Sequence, residues 1–296
     1  MRATERLRVV ARWATDDRFA LALRLTLLGL LLRPVGDSTL RPFLLALPGV
    51  GLLFPAALRR PALWWALTAL TGLRVGLDWP LADNHAYLLC YWCLAVALAL
   101  SAADPRRSLA DSARWLIGLV FALATLWKLA LSPDYLDGTF FRVTLATDPR
   151  FADLARLLGG LSADALAEMR SALLQHADAG LLAHPVPAPP TRLALLADAL
   201  TGWTVAIEAA VALAFLWPLA QRPARASDAC LLIFCATTYA VATVDGFAWL
   251  LIAMGAAQTA PDRDGTRALY LLTFAAILFY REVPWLSLLA EHLAPT

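Results

Sequence analysis

The sequence predicts an all-α protein, a polytopic transmembrane helix bundle of about eight or nine spans with one helical extramembrane insertion. Three observations carry this prediction. Of 296 residues, 60% are hydrophobic and 16% are charged, with a mean hydropathy of +0.63, whereas a soluble domain has about 25% charged residues. Apolar runs recur along the chain, punctuated by Pro, Gly or charge. Arginine is concentrated in alternate connections between those runs, as the positive-inside rule requires. A single domain over 1–296 is expected, with 132–192 as an external helical insertion within it.

The leader carries Arg2, Arg6, Arg8, Arg12 and Arg18 on a polar background. No small-residue cleavage site follows a short apolar run, so the prediction is a cytoplasmic amphipathic leader rather than a cleaved signal. Spans are expected at 19–33, 40–58, 61–77, 85–101, 112–131, 193–217, 228–244, 246–259 and 267–281. Residues 228–259 could instead form one long broken helix. Arg59-Arg60, Arg106-Arg107 with Arg114, and Arg222 with Arg225 fall on the leader's side. The opposite connections carry Asp78 and Asp83, then Asp134 and Asp137, then Asp245. This orientation puts the N-terminus inside and the 132–192 segment outside.

In that external segment Ser162 reads as an N-cap. Ala165, Leu166, Met169, Leu173 and Leu174 recur at helical spacing, with Asp164, Glu168 and Arg170 off the stripe. The result is an amphipathic helix suited to lie on the membrane or over the mouth of the bundle. Residues 184–190, HPVPAPP, form a stiff extended link into the next span. Gly36-Asp37-Ser38 reads as a turn.

Ionisable residues inside spans are functional candidates because hydrocarbon makes them expensive. One lysine, Lys128, stands among 25 basic residues. Lysine can lose its proton when desolvated and guanidinium effectively cannot, so a retained lysine points to base or nucleophile chemistry. The alternative is a lysine that snorkels from a helix end to the interface. The predicted topology places Lys128, His85, Asp134, Asp137 and Asp245 in one outer layer, able to hold a polar head group whose apolar tail enters the bundle. Glu208 lies deeper and is assigned a structural role, with Arg24 as its expected partner.

Cys90 and Cys93 form a CxxC, the spacing of thiol oxidoreductases, yet cysteine also packs as a small hydrophobe. Cys230 and Cys235 lie in another span, away from that pair. All four sit in apolar segments, which excludes a secreted disulfide framework. A net charge of +2 gives no reason to expect a nucleic-acid partner. No phosphate-binding loop, nucleophile elbow or metal-ligand spacing is present, and no metal is predicted.

Three stretches resemble the HTTM (horizontally transferred transmembrane) family, whose best-known member is the membrane half of vitamin K-dependent gamma-carboxylase. They are Asn84-His85-Ala86-Tyr87-Leu88, then Trp127-Lys128-Leu129 followed by Asp134-Tyr135-Leu136-Asp137-Gly138, then Trp203 to Leu213 with Glu208. Arg24 with Gly29 is a looser match. The likeness covers roughly residues 18–260. It implies a multi-pass membrane protein using a reduced, vitamin K-like quinone, and the Arg, Ala, Leu, Asp and Pro bias of the chain predicts a GC-rich bacterial source and hence the inner membrane. Lys128 would be the base that deprotonates the quinol, in a carboxylase- or epoxidase-like lyase reaction, and His85 its partner. Asn84, Tyr87, Trp127, Asp134, Asp137 and Asp245 are the expected substrate-binding residues. A non-catalytic bundle for binding or transport, or a partner subunit, is the alternative; thiol redox through Cys90 and Cys93 is a third. The partners expected are the lipid bilayer and a lipid-soluble small molecule.

Overall fold

The computed structural model describes residues 17–33, 36, 38–179, 190–218, 224–242 and 244–293. Most of the leader, Asp37, the 184–189 link and Arg222 therefore lie outside the described residues, and nothing is added to those expectations. Among the described residues there are fifteen α-helices, one 3₁₀ turn and no strand, which makes the fold all-α.

In chain order the helices are α1 (Arg18–Leu32), α2 (Arg41–Leu53), α3 (Pro55–Leu58), α4 (Pro61–Leu77), α5 (Asn84–Leu100), α6 (Pro105–Ala130), α7 (Pro133–Leu136) and α8 (Thr139–Thr147). A 3₁₀ turn, Pro149–Phe151, leads to α9 (Ala152–Leu157) and α10 (Ala163–Ala179). Then come α11 (Thr191–Leu216), α12 (Ala224–Tyr239), α13 (Asp245–Gln258), α14 (Asp264–Glu282) and α15 (Trp285–Leu293). Each of the nine expected apolar segments is helical, and 228–259 is two helices rather than one.

The membrane reading holds in a coarser form. Among the described residues two helices, α6 and α11, are long and apolar enough to cross a bilayer. A third span appears if α14 and α15, bent by 57°, count together. The expected eight or nine overstates this number. At 1.5 Å per residue, the 13 residues of α2 and the 17 of α5 reach roughly 20–26 Å, short of a hydrocarbon core of about 30 Å. The expected 40–58 span is also broken. Pro55 forces Phe54 into extended backbone, φ −117°, and starts a new helix.

The chain divides into two compact units. The first takes 1–120, 211–236 and 244–278; the second takes 121–210, 237–243 and 279–296. In the first, α4 and α5 pack as a pair and α1 packs along α13. Trp64 and Trp92 are fully buried. Their indole N–H groups donate to the Leu58 carbonyl at 2.9 Å and to Thr26 Oγ1 at 2.8 Å, so neither ring strands a polar atom. Asp17 caps α1 by accepting from Phe19 N at 3.1 Å, and it also pairs with Arg59 at 2.8 Å and Arg106 at 3.2 Å. Arg114, read from sequence as a loop charge, is buried instead; it donates to the Phe215 and Trp217 carbonyls at 2.8 and 2.7 Å, closing the C-terminus of α11.

In the second unit α7 to α10, the first half of α11 and α15 surround a core of Tyr135, Phe141, Leu145, Phe151, Leu154 and Leu193. Ser162 caps α10 as expected, accepting from Ala165 N at 3.2 Å. Ala165, Leu166 and Met169 turn into this core, so much of the expected amphipathic stripe is spent inside the unit; Leu174 stays exposed. Arg142 spans to Asp198 at 3.0 Å. Gly138 makes this possible: its φ is +79°, and a Cβ there would sit 2.5 Å from Asp198 Oδ1.

Candidate functional site

Lys128 lies in the last turn of α6, where the helix ends before Ser132-Pro133. Its Nζ is 2.5 Å from Glu208 Oε2 of α11, and the two side chains are only 15% and 9% exposed. The chain's single lysine and a buried carboxylate are therefore one ion pair within the second unit. The sequence-based assignment of Arg24 as Glu208's partner is corrected: the partner is Lys128. A carboxylate in an apolar helix takes the nearest cation able to reach it, and a lysine one helical turn from a helix end has the flexible stem to do so.

Tyr135 completes this centre. Lys128 Nζ stands 5.1 Å from its ring centroid, a cation–π contact. The ring is buried and held by Phe140 at 4.9 Å and Phe141 at 5.6 Å. Burial pushes the Tyr135 phenol up to about 12; the Thr204 hydroxyl opposes that shift and the Glu208 charge adds to it. Tyr135 was not among the expected site residues, although it lies inside the aromatic–acidic–Gly stretch after Lys128. Its signal was the position of an aromatic one turn past the helix stop.

Trp127 does not desolvate Lys128. It is 59% exposed, with Leu129 and Leu131 also facing outward, so it forms an apolar rim rather than a wall. Asp134 and Asp137 are exposed. Asp137 accepts from Thr139 N at 2.8 Å, and that bond holds its carboxyl below the usual carboxylate range. It is a helix-start residue with no contact to Lys128 among its hydrogen bonds.

His85 belongs to the first unit. Its Nε2 is 3.3 Å from Asp83 Oδ2, and it lines a cavity of about 190 Å³ together with Arg33, Arg41, Arg74 and Gly246. His85 and Gly246 at the start of α13 therefore line one cavity. Asp245 is the first residue of α13, and its side chain lies outside the described residues. Asn84 is exposed and Tyr87 half-buried at the start of α5. Cys90 is half-buried with Sγ 3.8 Å from the Thr68 carbonyl, Cys93 is fully buried, and all four cysteines are free thiols. Among the described residues no group of three or more His, Cys, Asp or Glu side chains could hold a metal ion.

The arrangement around Lys128 can hold and move one proton. The ammonium and carboxylate lie at hydrogen-bonding distance, and the neighbouring phenol keeps its own proton at neutral pH. No protein-family model, curated protein or solved structure matches this chain.

Proposed function

We propose that the chain is a multi-pass protein of the HTTM type in a bacterial inner membrane, with its N-terminus cytoplasmic. In this reading Lys128 acts as a base on a quinol or similar lipid-soluble substrate. The observation that supports it is the Lys128–Glu208 pair against Tyr135. It places the chain's single lysine in an enclosed site beside a carboxylate that can take its proton. The neutral amine then accepts the hydroxyl proton of the quinol, and Glu208, protonated, remains beside it. The exposed Trp127, Leu129 and Leu131 give an apolar approach for a substrate arriving from lipid. His85 enters this proposal through the family resemblance alone.

The test is quinol binding and deprotonation by the purified protein, wild type against Lys128→Arg. Arginine keeps the charge and reaches Glu208 but cannot lose its proton. Loss of quinol deprotonation with retained folding supports the proposal. Equal activity in the variant would falsify it.

A second reading is favoured by one feature of the same pair. Lys128 is already satisfied by Glu208 and Tyr135, as a purely structural cation would be. The protein would then be a non-catalytic binding or transport bundle, or a partner subunit, and Lys128→Arg would leave its function unchanged.

A further inference from the structure

The first unit carries a basic mouth whose arginines the Lys128 chemistry does not use. Arg33 follows α1, Arg41 opens α2, Arg74 lies in the last turn of α4, and His85 opens α5. All four line the cavity of about 190 Å³, and no carboxylate lines it among the described residues. Two described acids pair with these bases, Asp78 Oδ2 at 3.3 Å from Arg74 Nε and Asp83 Oδ2 at 3.3 Å from His85 Nε2, each from the more exposed side. In the Arg74–Asp78 pair the side chains are 21% and 47% exposed, and in the His85–Asp83 pair 23% and 62%. The bases are the inner members of both pairs and the acids the outer ones. Arg41 is fixed by donating from Nη2 to the Gly36 carbonyl at 3.2 Å. Gly246 leaves room for Arg33, because a Cβ there would meet Nη1 at 2.7 Å.

A second, apolar cavity of about 40 Å³ adjoins the first and shares Arg33, Leu89 and Gly246 with it. Its remaining walls include Leu25, Leu30, Trp249 and Leu250. One end of the combined space offers three guanidinium forks and an imidazole; the other offers hydrocarbon. Guanidinium forks match the geometry of carboxylate and phosphate oxygens. A neutral acceptor would gain only ordinary hydrogen bonds from them, and a cation would be repelled.

We propose that this mouth binds an anionic amphiphile, whose phosphate or carboxylate head lies among Arg33, Arg41, Arg74 and His85 and whose first apolar carbons enter the pocket beside Trp249. The small volume of the apolar part sets the limit: it takes the root of a chain, and the rest runs out along the helices.

The experiment is calorimetric titration of the full-length protein in a neutral maltoside detergent. The probes are dihexanoyl phosphatidic acid, dihexanoyl phosphatidylcholine and inorganic phosphate. The expected result is phosphatidic acid binding at least tenfold tighter than either of the other two. Arg41→Gln and Arg74→Gln should each weaken phosphatidic acid about tenfold, as loss of a charge-assisted hydrogen bond does, without changing the phosphatidylcholine titration. Asp111→Asn, at a half-exposed acid paired with Arg107 and lining neither cavity, should retain binding and serves as the charge-change control. Equal affinity for the two lipids would overturn the proposal, as would full binding by both arginine variants. Inorganic phosphate binding as tightly as phosphatidic acid would overturn the amphiphile in favour of a free-anion site. If either arginine variant fails to fold, the comparison of three ligands on the wild-type protein decides alone.

Discussion

Replacing both members of the Lys128–Glu208 pair should damage the protein less than replacing either one. The two charges are 2.5 Å apart, so at an effective dielectric of about 20 their attraction is roughly 6–7 kcal/mol. Desolvation of two enclosed ions offsets most of that gain. Lys128→Met alone leaves a carboxylate enclosed without its cation, and Glu208→Met alone leaves the ammonium with only the Tyr135 ring. Each single change should cost about 3–5 kcal/mol. The double Met variant removes both charges and fills the space with apolar atoms, so it should lie within about 2 kcal/mol of wild type. The assay is a four-way cycle of unfolding free energies in mixed detergent micelles. A coupling energy of at least about 3 kcal/mol is expected. Additive losses, with the double variant as unstable as the two singles combined, would refute the enclosed pair and leave Lys128 as an interfacial anchor. The same double variant, folded but inactive toward a quinol, would separate the catalytic reading from the structural one.

Other outcomes follow from the same geometry. Asp228 is buried and accepts from Gln258 Nε2 at 2.5 Å, Arg263 Nη1 at 2.6 Å and Tyr270 OH at 3.0 Å, so Asp228→Ala should cost about 3–5 kcal/mol in thermal or denaturant unfolding; a loss under 1 kcal/mol would show that the network is dispensable. Gly138→Ala should cost about 1–2 kcal/mol from its positive φ alone and should also break the Arg142–Asp198 pair, read out as lost coupling between substitutions at those two residues. Arg150 donates to Asp148 and holds its carboxyl below the usual carboxylate range. The folded-state value is depressed, so the stabilisation is present above the unfolded value near 4 and is lost as pH falls through the folded one. Hydrogen exchange at the Arg150 amide, which donates to Asp148 Oδ1 at 2.9 Å, should accelerate in acid beyond the intrinsic rate, and Asp148→Asn should abolish that acid step.

Helix placement was legible because apolar runs bounded by Pro, Gly and charge leave little freedom. Pro61 starts α4 and Leu77 ends it, at the boundaries the sequence predicts. The number of spans was not legible, because hydropathy marks an apolar helix without fixing whether its length matches a bilayer. The short helices α7 to α9 were missed for a related reason: four to nine residues give barely two turns of periodicity, and their stability comes from the shared core around Phe141 and Leu145. In the site, the uniqueness of Lys128 and the depth of Glu208 were each visible, but their pairing was not. Pairing depends on which faces of α6 and α11 meet, and α11 is apolar on nearly every face. Trp127, next to Lys128 in sequence, faces outward, because neighbours on a helix point about 100° apart.

The cap at Asp17 has a long reach in sequence. Its carboxylate joins the first helix to Arg59, 42 residues on, and to Arg106, 89 residues on. Three helix ends, the start of α1, the end of α3 and the start of α6, therefore converge on one side chain. Removing that carboxylate takes away the α1 cap and both long-range pairs in a single step. Asp17 is in this sense a clasp: the register of three helices in the first unit is referred to one point, and no second residue of the clasp can be lost without loosening another.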